Sequence, residues 1–369
     1  MRRLTVDELQ PGMVIARTVV GADGRALLTK NNQLTTGYIL RLRALGLGSV
    51  YVRDSFTEED VEIPEIVSQK VVSAVTGNLK ESIKSLDNRK SIDMNSMRKG
   101  VALLLEDIMD NRNLLIQLED IRAYSDYLLF HSINVAVFSM MTGITMGYLE
   151  GSLMDLGMGA LLHDIGMITV DPAVLDKQGA LTSEERNQVM QHPEVGFNIL
   201  RTYREVSTLS AHVAYQHHEH VDGSGYPREI SENHILDFGK IAAIADTFDA
   251  VISDRPYRKG YSTTEGVLVL RKLAGTYFDP NVVEAFVSNV ALYPAGCLVS
   301  LNTGHIGVVT SITKTHPNSP TLLIICDPSG NFVKPPYEID LRKTNEVKIA
   351  KRLSTEETEA VRTRITGSK

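Results

Sequence analysis

Eight of the ten histidines lie between His131 and His234, a stretch of 104 residues in which even spacing would place about three. They occur with carboxylates: His163-Asp164 within Leu161-Leu162-His163-Asp164-Ile165-Gly166, His192 before Pro193, then His217-His218-Glu219 and Asp222. Imidazole nitrogen and carboxylate oxygen together suit divalent iron, manganese or zinc. Two adjacent residues at a helix end project about 100° apart, and both still reach one metal cluster from the helix edge. The histidine of such a pair would bind one ion terminally while its two-oxygen neighbour bridges to a second, and ions about 3.5–4 Å apart can hold a bridging hydroxide for attack on phosphorus. His217-His218 repeats this geometry on another helix. Asp222-Gly223-Ser224-Gly225-Tyr226-Pro227 follows as a glycine-rich turn locked by proline, with Tyr226 suited to stacking on a base or bonding to a phosphate.

These groups need a scaffold, and the patterning supplies helices around them. Residues 1–60 read as a small α+β domain: short β-like runs at 12–16 and 17–20, an Asp23-Gly24 turn, a helix capped by Thr35-Thr36 with Tyr38, Leu42 and Leu45 on its apolar face, and a strand at 49–52. The acidic segment before Pro64 marks a boundary, and 61–120 form a helical connector. Residues 121–290 form the helical domain that carries the histidines. Strand-like runs at 298–301, 307–312 and 321–325 place a small β-domain at 291–350, leaving 351–369 as a charged tail, either a short helix or frayed. The fold class is therefore multidomain and mainly α.

At roughly 150 residues per domain, 369 residues predict about two to three domains, and a composition 43% hydrophobic and 22% charged excludes a disordered chain. A net charge of −7 offers no footprint for duplex nucleic acid, so a polyanionic substrate needs a local positive site. Cys297 and Cys326 read as reduced thiols of a cytosolic protein, and the amino terminus meets two acids too early for a secretory signal. Tyr127 to Leu149 carries no Asp, Glu, Lys or Arg, but His131, Ser132, Asn134, Ser139, Thr142 and Thr145 within it argue for a buried helix rather than a membrane span. The expected location is cytoplasmic, with no membrane partner.

Taken in order and spacing over about residues 120 to 290, His131, His163-Asp164-Ile165-Gly166, His192-Pro193, His217-His218-Glu219, the Gly-Tyr-Pro turn and Asp246-Thr247-Phe248-Asp249-Ala250 resemble the HD-GYP family, metal-dependent phosphodiesterases of the bacterial second messenger cyclic di-GMP. The resemblance implies an all-helical HD-type phosphohydrolase domain, and the flanking regions also look like those of some family members. It implies metal ligation by His131, His163, Asp164, His192, His217, His218 and Asp246, with Asp164 bridging and His163-Asp164 at the catalytic heart. Asp246 follows the apolar run 241–245, where a cation partner makes sense of a buried carboxylate. Members that bind three metals carry Glu at the position of Tyr127, so two divalent ions are expected here, iron or manganese favoured.

Tyr226, Arg255 and Arg258 are the implied substrate contacts, the arginines on phosphate. Met167 occupies a substrate position that is usually Lys in the family; losing one charge-assisted phosphate contact costs about 1.5–3 kcal/mol, which weakens or redirects activity. His220-Val221 stands where the family often has Arg-Trp. The expected reaction is hydrolysis of cyclic di-GMP to linear dinucleotide or GMP. The alternatives are a low-activity cyclic-dinucleotide sensor and a phosphohydrolase for another nucleotide. A helical connector is compatible with a homodimer, and the sequence names no signalling partner.

Overall fold

The computed structural model describes residues 2–21, 26–45, 49–53, 65–87, 91–116, 127–175, 177, 179–253, 260–344 and 346–367. Near the amino terminus, β1 (Arg2–Thr5) pairs antiparallel with β4 (Ser49–Val52), and β2 (Val19–Val20) pairs with β3 (Ala26–Leu28). The run at 12–16 forms only isolated bridges, Val14 to Gln33 and Ile15 to Val52. Helix α1 (Thr36–Ala44) begins where the Thr35 side chain accepts from the Tyr38 amide, but it buries Ile39 and Leu42. Tyr38 and Leu45, expected on its apolar face, are 40% and 49% exposed, because the nine-residue helix touches its core along a narrow stripe.

The helical part comprises α2 (Gln69–Asp87), α3 (Met94–Asp110), α4 (Tyr127–Thr145), α5 (Glu150–Leu161), α6 (Pro172–Leu175), α7 (Ser183–Val189), α8 (His192–Leu200), α9 (Thr208–Gln216), α10 (Asp237–Ile252), α11 (Thr263–Leu273) and α12 (Pro280–Val287). Helices α2 and α3 share one core with α4, α5, α9, α10 and α12, joined through Val75, Leu104, Ile133, Phe138, Phe248 and Phe286. Helix α4 runs through the middle of this core. Two of its hydroxyls are satisfied within the helix, Ser132 donating to the Leu128 carbonyl and Thr142 to that of Phe138, and Thr145 donates to Asn289 Oδ1, which lowers the cost of burying a polar-dotted helix. Residues 128–145 are apolar and long enough to cross a membrane, yet 78% of that window is buried by other helices.

The carboxy-terminal sheet has the order β8-β7-β6-β5-β9, all antiparallel, from β5 (Leu298–Leu301), β6 (Ile306–Thr313), β7 (His316–Cys326), β8 (Phe332–Asp340) and β9 (Ile349–Arg352). Strand β8 carries Pro335 and Pro336 and lies at the sheet edge, where missing amide donors are tolerated. Of the two forms expected for the charged stretch after residue 350, the short helix is present, and the stretch packs on the sheet. Strand β9 pairs with β5, and α13 (Thr355–Gly367) lays Val361 and Ile365 beside Leu353 on the sheet core.

Candidate metal centre

The histidines converge because their helices end at one place. His163 and Asp164 follow the end of α5, His192 opens α8, His217 caps the end of α9 with His218 next to it, and His131 and Asp246 project from inside α4 and α10. Helix ends leave carbonyls without intrahelical partners, and three rings use them. Nδ1 of His163 donates to the Ala160 carbonyl at 2.8 Å, that of His192 to Val189 at 2.7 Å, and that of His217 to Ala214 at 2.9 Å. A carbonyl only accepts, so each of these Nδ1 atoms carries its hydrogen and each Nε2 presents a lone pair inward.

Asp164 stands at the centre. Its Oδ1 lies 3.2 Å from His192 Nε2 and 3.6 Å from His217 Nε2, and its Oδ2 lies 3.4 Å from His163 Nε2 and 3.9 Å from His131 Nε2. Two ligand-like groups therefore share it: Asp164, His192, His217 and His218 on one side, His131, His163 and Asp164 on the other. Asp246 faces both sides, 3.1 Å from His131 Nε2 and 3.9 Å from His218 Nδ1.

A cation fits this donor set on two observations. His192 Nε2 and His217 Nε2 are 3.1 Å apart with both Nδ1 hydrogens committed elsewhere, so two lone pairs face each other. Protonating His217 is opposed by burial, reinforced by the neighbouring His163 and His192. His163 Nε2, in a fully buried ring, makes no hydrogen bond. Burial would also raise the Asp164 carboxyl, but His163, His192 and His217 outweigh it and hold it well below the usual carboxylate range; Asp246 is depressed likewise, chiefly by His131 against burial. His131 is the converse: burial disfavours its charge, yet Asp246 and Asp249 raise it well above the ordinary imidazole range. His218 is lowered well below that range by burial and then by His217.

Two glycines allow the convergence. A Cβ on Gly166 would lie 2.0 Å from the His192 carbonyl oxygen and 2.7 Å from the Gly196 amide, so only glycine lets the turn after Asp164 meet α8. A Cβ on Gly225 would lie 2.4 Å from both the His218 carbonyl oxygen and the His220 amide. That approach folds the turn back so that Tyr226 stacks on His218, centroids 4.7 Å apart at 22°.

A family model for the HD domain matches residues 111–282, and one for a KOW domain associated with the HD domain matches 298–361. A cyclic di-GMP phosphodiesterase of Pseudomonas aeruginosa is 28% identical over 291 residues, 78% of this chain and 69% of that protein. A cyclic di-GMP phosphodiesterase of Thermotoga maritima is 36% identical over 184 residues, 50% of this chain and 49% of that protein. Residues 111–282 are therefore an HD domain of the HD-GYP kind. A 3'3'-cGAMP-specific phosphodiesterase of Vibrio cholerae is 34% identical over 172 residues, 47% of this chain and 37% of its own length, so the chain spans half or less of this relative and the Thermotoga one. Among solved structures, an HDG"Y"P protein from Bdellovibrio bacteriovorus aligns with 77% of this chain and 97% of its own at a TM-score of 0.48 and 15% identity.

All seven residues expected as ligands of this HD-GYP site are brought together, and Tyr226 borders them. Arg255 and Arg258 lie outside the described residues, as does the side chain of Tyr127. Met167 lines a cavity of about 220 Å³ beside Asp164, among Leu79, Ile83, Leu128, Ile165 and Leu175. Asp222, grouped with the ligands by its position, is not among them: it is spent on its own turn, accepting from the Ser224 amide. His220 stacks on Tyr277 at 3.8 Å and 9°, outside the cluster.

Three side chains have roles that the sequence did not assign, Glu219 among them although it was grouped with the ligand-like carboxylates. Glu219 is buried and accepts from the amides of Arg228 at 2.9 Å and Ile230 at 3.1 Å, anchoring the far side of the Gly-Tyr-Pro turn. Asp249 accepts from His131 Nδ1 at 2.7 Å and from Asn134 Nδ2 at 2.7 Å. The available signal was spacing: Asn134 is three after His131 and Asp249 three after Asp246, so each pair shares a helix face.

Proposed function

We propose that the chain is a metal-dependent phosphodiesterase that hydrolyses cyclic di-GMP to linear dinucleotide or GMP in the cytoplasm, with two divalent ions, iron or manganese favoured. The observation that carries this reading is the pair of donor groups sharing Asp164, set in an HD-GYP domain. His192, His217 and His218 with Asp164 would hold one ion, and His131 and His163 with Asp164 the other, while Asp246 faces both. When bound, the pair supplies a nucleophilic water at neutral pH and offsets charge on the phosphoryl oxygens. The chain's own part is to keep the histidine Nε2 lone pairs inward, to hold both aspartates ionised, and to close one side with Tyr226 against His218. Arg255 and Arg258 are proposed to receive the substrate phosphates. The apolar helix α4 is buried among other helices, as a core helix rather than a membrane span would be.

The test is metal content and cyclic di-GMP turnover on one anaerobically purified sample reconstituted with iron or manganese. About two metals per chain with product formed is the expected result. Metal without product on cyclic di-GMP, or a chain that takes up no metal, refutes the reading. The apolar wall around Met167 favours a second one, in which a different cyclic dinucleotide is cut or merely sensed. Comparing rates across cyclic di-GMP, cyclic GMP-AMP and cyclic di-AMP separates the two.

A further inference from the structure

His131 differs from the other inward-facing histidines in how it is held. His163, His192 and His217 sit at helix ends and give their Nδ1 hydrogens to nearby backbone carbonyls. His131 lies inside α4, where backbone carbonyls are engaged in the helix ladder, so its acceptor must come from another helix. That acceptor is Asp249 of α10: buried, 2.7 Å from His131 Nδ1 through Oδ2, with Oδ1 held by Asn134 Nδ2 at 2.7 Å and Ser253 Oγ 3.5 Å from Oδ2. We propose that Asp249 is a positioning residue that fixes the tautomer and orientation of His131, and so sets metal occupancy in the half of the cluster built from His131, His163 and Asp164. A carboxylate behind a histidine raises its basicity as a ligand as well as orienting it. Asn134 in turn fixes the carboxylate, and its spacing of one turn from His131 gives both residues the same partner.

This rests on the proposed metal centre and concerns only one of its halves. The experiment is a Mn²⁺ titration of the chelator-stripped full chain, followed by calorimetry and electron paramagnetic resonance, for the wild type, Asp249→Asn and Asp249→Ala. The wild type should take up two ions and show an exchange-coupled pair. In Asp249→Ala one binding step should weaken about 10- to 100-fold while the other stays within about twofold, leaving an isolated-ion signal at one equivalent. Asp249→Asn keeps an oxygen acceptor without the charge and should fall between. A packing role alone would weaken both steps together with the melting temperature. The inference is overturned if both variants bind two ions with wild-type affinities, or if Asp249→Asn loses both steps equally. A wild type that binds no Mn²⁺ would overturn the metal centre itself and this inference with it.

Discussion

Gly166→Ala tests whether the cluster depends on the close approach of two backbone segments. The added Cβ would sit 2.0 Å from the His192 carbonyl oxygen, whereas the shortest ordinary carbon–oxygen contact is about 3.3 Å, so the segments must part by about 1.3 Å. Neither neighbour is a flexible side-chain end; both are backbone, at His192 and Gly196. His192 Nε2 lies 3.2 Å from Asp164 Oδ1, and a parting of that size removes it from the shared group. Misplacement by about 1 Å costs on the order of 100-fold in rate, and overpacking costs about 1–3 kcal/mol of stability. At roughly 2–4 °C per kcal/mol for a domain of this size, the melting temperature should fall by several degrees. The assay is Mn²⁺ uptake, turnover and thermal unfolding beside Gly151→Ala, a helical glycine whose added Cβ meets nothing within 4 Å. Gly151→Ala should match or slightly exceed the wild type in stability. A Gly166→Ala protein with wild-type metal content and turnover would show that the cluster does not depend on this backbone approach.

Asp164→Ala removes the carboxylate that the two donor groups share and should abolish uptake of both ions, whereas His218→Ala should spare the half containing His131 and His163; elemental analysis of the two variants checks this. Glu219→Ala strips the acceptor from two amides at about 1–3 kcal/mol for a buried unsatisfied group, so unfolding should shift downward and the turn bearing Tyr226 should become protease-sensitive, with Glu219→Gln milder. Met167→Lys places an ammonium in the cavity wall beside Asp164 and should raise cyclic di-GMP turnover about tenfold or more if the missing contact limits the rate. An unchanged or reduced rate in a well-folded Met167→Lys protein would show that this wall is not a phosphate site.

The ligand set was legible in the sequence because metal chemistry restricts residue type and the helices restrict spacing: His163-Asp164 and His217-His218 are short-range signals. The positioning roles of Asp249 and Glu219 were not legible, since a carboxylate that serves a histidine or a pair of amides has no composition of its own and is recognised by what it touches. The strands of the sheet centre announced themselves by β-branched runs, whereas β8 is broken by Lys334-Pro335-Pro336 and reads as loop until its edge position is known. Strand β1 and the contribution of α13 were hidden for a related reason: Arg2-Arg3-Leu4-Thr5 and Val361 with Ile365 place few apolar residues among charges, and they are completed by distant partners, β4 for the strand and Leu298 and Val308 for the helix.

The same dependence on distant partners ties the sheet to the site. Asn289, after α12, is fully buried and donates to the Met141 and Ala285 carbonyls, while its own oxygen accepts from Thr145 at 2.9 Å and from Lys314 of the β6–β7 turn at 2.6 Å. Burial lowers the basicity of Lys314, and the bond to Asn289 gives its half-buried ammonium a fixed acceptor. Its charge sits where α4 ends at Thr145, the helix end that favours a cation. Helix α4 is therefore held at its last turn by Asn289, which Lys314 of the sheet in turn engages, and nearer its start by Asp249, and His131 lies on that helix between Leu129 and Ile133, both in the helical core. A proline-edged sheet more than 150 residues away thus helps fix the helix on which His131 must be placed to within the tolerance of a ligand.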